Sequence, residues 1–124
     1  MKADRPVNLE LSTISFPLTA ITSILHRVSG IALFVGSAFM VWFLYQSLTS
    51  ASGFETATGV ASHWLGRFII WGMLSALAYH LVAGIKHLIM DMGIGETLEG
   101  GKKLSQATVV ISVILIVLAG VWAW

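Results

Sequence analysis

The 124-residue chain is 56% hydrophobic and only 10% charged, whereas a soluble domain carries about a quarter charged residues, so the composition is that of an integral membrane protein. With no cysteine, disulfides, thiolate metal sites and iron–sulfur ligation by this chain are excluded, and any metal must be held by histidine or carboxylate. A net charge of +1 without a basic run or an aromatic–basic stripe excludes a nucleic-acid surface.

Residues 1–27 are polar and mixed; they lack the basic opening and hydrophobic run of a signal peptide and read as an uncleaved N-terminal segment. A bilayer crossing needs roughly 20 apolar residues at about 1.5 Å each, and the stretches 28–48, 68–85 and 104–124 meet that need. The expected fold is all-α, one membrane domain over 1–124 with three transmembrane helices. The connections TSASGFETATGVASHWLG and DMGIGETLEGGKK are rich in Gly, Ser and Thr and read as loops.

Lys2, Arg5 and Arg27 precede the first span, and Lys86, Lys102 and Lys103 follow the second, leaving Arg67 alone in the first connection. The positive-inside rule puts the N-terminus and second connection in the cytoplasm and the C-terminus outside, in the periplasm if the membrane is a bacterial inner membrane. Trp64, Trp122 and Trp124 then fall in the outer aromatic belt.

Of the four histidines, His63 falls at the outer end of the second span, and His26 and His87 lie near the cytoplasmic ends of the first and second. Only His80 reads as deep, roughly 10 Å further in than His87 by helical rise. A polar side chain at that depth is costly without a partner and marks a functional site, unless it is hydrogen-bonded to a neighbouring helix. Gly72, Ala76, His80 and Gly84 recur every four residues, a stripe of little bulk that suits close helix packing or the flat face of a porphyrin beside an axial histidine. No second ligand of matching depth exists in the chain, Met73 and Met40 lying away from His80, so a haem here needs a ligand from another chain.

The stretch SILHRVSG at 23–30 sets a serine, a histidine and an arginine at the mouth of the first span. A lone arginine there is an ordinary snorkelling anchor. Ser23 and Arg27, one turn apart on one face, together offer a hydrogen-bond donor and a fixed positive charge.

RPVNLEL at 5–11 with SILHRVSG, and HLVAGIKHLIMDMG at 80–93, resemble the two signatures of the succinate dehydrogenase cytochrome b family. The resemblance implies half of a heterodimeric, haem-binding helical bundle in a four-subunit complex with a flavoprotein, an iron–sulfur subunit and a second membrane anchor. It implies haem b held by His80 and by a histidine of that second anchor, and ubiquinone reduced beside Ser23 and Arg27. His26, Arg27, Gly84 and His87 would border the haem or its propionates, and His87 and Asp91 are candidates for proton relay. Lys86 stands where the family usually has arginine, keeping the charge but losing the planar fork. The anchor of a fumarate reductase, a cofactor-free structural subunit and a proton-transport subunit are the alternatives. The last lacks the further buried acid or histidine that a relay needs.

Overall fold

The computed structural model describes residues 6–124. Lys2 and Arg5, which contribute to the charge asymmetry, and with Arg5 the first residue of RPVNLEL, lie outside the described residues. A 3-10 turn at Leu11–Thr13 leads into four helices, α1 (Leu18–Thr49), α2 (Ala51–Ser62), α3 (Trp64–Asp91) and α4 (Leu98–Ala123), with no strand among the described residues. Helices α1, α3 and α4 are each long and apolar enough to cross a bilayer. They pack on one another, and α2 packs on α1 and α3 alone, at the end where α1 gives way to α3.

The helices run past the apolar stretches that announce them. Helix α1 begins at Leu18, ten residues ahead of the predicted span, because Pro17 sits in extended backbone as its N-cap and a proline further inside would clash with the preceding turn. Helix α3 extends beyond 68–85 at both ends, and α4 starts at Leu98, ahead of residue 104. Outside the hydrocarbon a helix needs only its own backbone bonds and caps, so polarity does not end it.

The first connection is largely helical, which corrects its reading as a loop. Ser50 caps α2 by accepting from the Gly53 N–H at 2.9 Å. Gly53, Ala57, Val60 and Ala61 then share one face at helical spacing, with Gly53 and Ala57 buried. The small residues that suggested a loop are what lets this helix lie close to α1 and α3. At the α2–α3 elbow Gly66 meets the Val60 carbonyl so closely that a Cβ would collide with it.

Helix α3 ends in a Schellman motif: the Gly93 N–H donates to the Met90 carbonyl and the Ile94 N–H to the Ile89 carbonyl, with Gly93 at φ +82°. Thr97 then caps α4, accepting from the Gly100 N–H at 3.0 Å.

The interior inverts the pattern of a soluble protein. Ala57 and Ala83 are the buried apolar residues among those described, whereas Thr22, Ser29, Lys86, Ser105, Thr108 and Ser112 are buried. Large apolar side chains face outward. In lipid nothing is gained by hiding a leucine, so small and hydroxylated residues take the seams, where they permit close approach and bond across or back to the helix. Near the end of the bundle where α3 begins and α4 ends, the Trp71 Nε1–H donates to the Ile116 carbonyl at 3.0 Å, tying α3 to α4. Trp64, Trp122 and Trp124 are exposed.

Candidate functional site

Helices α1 and α3 run antiparallel, as successive approaches show: Gly36 faces Met73, Gly30 faces His80, and Gly84 faces His26. This crossing brings His26 onto His80, with ring centroids 4.1 Å apart and planes inclined by 17°. His87 follows, 5.1 Å from His26. His80 is therefore not solitary: His26 bridges the interval between it and His87. His63 stands apart at the other end of α3, where its Nδ1 accepts from the Leu65 N–H at 3.3 Å as a helix cap.

The hydrogen bonds around His80 favour the tautomer protonated at Nδ1. Its Nδ1 lies 3.1 Å from the His26 carbonyl and 3.0 Å from Ser29 Oγ. The Ser29 hydroxyl spends its own hydrogen on that same His26 carbonyl at 2.8 Å, so both neighbours of Nδ1 are acceptors and Nδ1 carries the proton. Nε2 is left with its lone pair and bonds to no described residue. A ring nitrogen bonded to a backbone carbonyl with the other free is the arrangement of a metal-ligating histidine. The donor set at this position thus fits an iron of haem. Among the described residues no group of three or more His, Cys, Asp or Glu could hold a metal ion.

Ser23, His26, Arg27, His80, Gly84 and His87 all line one cavity of about 620 Å³, with Leu81, Ile85 and Leu88 supplying its apolar wall. It opens at the surface of the helix pair, where Arg27, Leu81 and Leu88 are exposed. The stripe at Gly72, Ala76, His80 and Gly84 divides. Gly84 borders the cavity, and a Cβ there would lie 3.5 Å from His26 Nε2, while a Cβ on Gly72 would meet nothing. Close packing within this chain therefore does not account for Gly72. Asp91 ends α3, exposed and off the cavity wall.

Three features escaped the sequence reading. Ser29 and Gly30, visible there only as a Ser-Gly pair, are the seat of His80: Ser29 contacts its Nδ1, and a Cβ on Gly30 would come within 3.0 Å of its Cε1. Lys86 is not a loop cation of the second connection but a buried residue of α3, 4% exposed. Its partner Thr22 also takes a hydrogen bond from Tyr79. The charge asymmetry survives the move, since Arg27, Lys102 and Lys103 remain exposed at one end of the bundle, opposite Arg67.

Residues 1–119 match the family described as succinate dehydrogenase/fumarate reductase transmembrane subunit. The chain is 44% identical to the succinate dehydrogenase cytochrome b556 subunit of Coxiella burnetii, over the full length of both. It is 42% identical to the subunit of that name from Paracoccus denitrificans, covering 94% of this chain and 90% of the relative. With the mitochondrial cytochrome b560 subunit of Sus scrofa it shares 35% identity, over 96% of this chain and 69% of the relative. Three membrane-length helices of the expected order and a family match over nearly the whole chain lead to one conclusion: this is a multi-pass membrane protein of the succinate dehydrogenase/fumarate reductase transmembrane subunit family.

Proposed function

We propose that the chain is a haem b-bearing membrane anchor of a succinate dehydrogenase and forms part of the site at which ubiquinone is reduced. The observation that carries this reading is the convergence, on one cavity, of the His80 ring with its free Nε2 and of Ser23 and Arg27. His80 would hold the iron, Gly84 would leave room beside it, and His26, Arg27 and His87 would meet its propionates. When bound, haem supplies a one-electron carrier within the membrane. A second anchor would supply a further ligand to the iron and cover the exposed side of the cavity, while an iron–sulfur subunit and a flavoprotein would deliver electrons from succinate.

The chain's own residues act on the quinone through hydrogen bonding and charge. The Ser23 hydroxyl donates to a quinone carbonyl, and the Arg27 guanidinium stabilises the negative charge that builds on the quinone oxygens before protons arrive. Protons enter from the cytoplasm, at whose edge Arg27 stands. The same orientation puts Lys102 and Lys103 inside and Arg67 outside, in a bacterial inner membrane.

The complex purified in mild detergent should carry the flavoprotein, the iron–sulfur subunit and a second anchor, and should show a b-type band on reduction. An assembled, succinate-oxidising complex with no such band would overturn the haem assignment. For orientation, reporters fused after Ser62 and after Glu96 should be active on opposite sides, periplasmic and cytoplasmic respectively. The same side for both would refute it.

A further inference from the structure

Lys86 lies in the seam of α1, α3 and α4 with 4% of its surface exposed. Its Nζ donates to Thr22 Oγ1 at 2.9 Å and lies 3.5 Å from Ser105 Oγ, and those two hydroxyls are 3.3 Å apart. No described carboxylate pairs with it. Burying an ammonium against hydroxyls alone is costly, and an apolar side chain of similar length would fill the seam more cheaply. What the ammonium does, and an apolar residue cannot, is hold Thr22.

Thr22 is gripped at both of its oxygens. Lys86 bonds its side chain, and about two turns earlier on α3 the Tyr79 hydroxyl donates to its backbone carbonyl at 2.7 Å. Thr22 is itself fully buried. The next residue is Ser23, and Arg27 lies just over one turn beyond; both line the cavity. Ahead of the His26–His80 contact, the start of α1 meets α4 through small residues, with Gly101 opposite Thr19, a contact that by itself permits sliding and rotation.

We propose that Lys86, acting through Thr22 and together with Tyr79, is a positioning residue for quinone reduction: it fixes the rotation and height of the first turns of α1, and with them the placement of Ser23 and Arg27. The inference rests on the quinone reading of those two residues. It assigns to a buried lysine of the second helix-length motif a role at a site that its side chain does not line.

The test uses the assembled complex and follows KM and kcat for a soluble ubiquinone analogue, with succinate oxidation by an artificial acceptor at the flavoprotein as the measure of assembly. Lys86→Met and Thr22→Val should each raise the quinone KM about tenfold, through the displaced Ser23, and also lower kcat several-fold, through the displaced Arg27, whose charge acts on the anion that builds in the transition state. Because both act through one contact, the double variant should be no worse than the more severe single one. Thr22→Ser, which keeps the oxygen, should restore the KM. Arg27→Leu, run alongside, reads the underlying site through kcat. If Arg27→Leu lowers kcat while both positioning variants keep the parental KM, the positioning role is overturned and the quinone site stands. If Arg27→Leu has no effect, the quinone site fails and the positioning role with it. Multiplicative effects in the double variant would show two separate actions and overturn the route through Thr22. Should Lys86→Met not assemble, the pair Thr22→Val and Thr22→Ser decides: a raised KM in the first that the second restores supports the role, and equal KM values overturn it.

Discussion

Replacing His80 with leucine is expected to remove the parental low-spin b-type spectrum from the complex while leaving the complex assembled. The substitution takes away the imidazole whose Nε2 is left free by the bonds of Nδ1 to the His26 carbonyl and near Ser29. It strands no polar group, because the Ser29 hydroxyl keeps its bond to the His26 carbonyl. The helix tolerates leucine well, and leucine is close in volume to the imidazole it replaces beside Gly30 and His26, so the fold should lose little. Haem retained through the partner's ligand would show an altered spectrum and a shifted midpoint potential, measurable by redox titration of the reduced band. An unchanged spectrum and potential would refute ligation by His80 and move the assignment to His26 or His87, which share the cavity.

Arg27→Leu should lower quinone reductase turnover roughly 100-fold, the order of effect seen when a preorganised donor to a developing anion is removed. Succinate oxidation by an artificial acceptor at the flavoprotein should stay near the parental rate, because the electrons leave before reaching this site. Stability should change by no more than about 0.5 kcal/mol, as for other exposed positions, since Arg27 is exposed and its charge holds no buried partner. Arg27→Lys should recover part of the loss, restoring the charge without the planar fork. Parental quinone reduction in an assembled Arg27→Leu complex would sink the role of Arg27.

The class of protein, its three spans and the motif positions of the candidate site were legible in the residues alone. A bilayer forces every backbone bond to be made within the helix, so a long apolar run has one available structure whatever surrounds it. The Ser23–Arg27 pairing was legible for the same reason, being a matter of one turn of one helix, and both residues line the cavity. Helix α2 was not, because its Gly, Ser and Thr content is shared by loops and by helices that pack closely, and only its contact with α1 and α3 separates the two.

Relations between helices were decided by the tertiary structure. Depth counted along each helix set His26 apart from His80, yet the antiparallel crossing of α1 and α3 lays one ring on the other. A lysine near the end of an apolar run looks like an interfacial anchor, and Lys86 turns inward because Thr22 and Ser105, 64 and 19 positions away in the chain, meet it there. Sequence specifies which side chains a helix carries and on which face. Which faces meet, and therefore which nitrogen of His80 is free and which cation is buried, follows from the packing of all three long helices together.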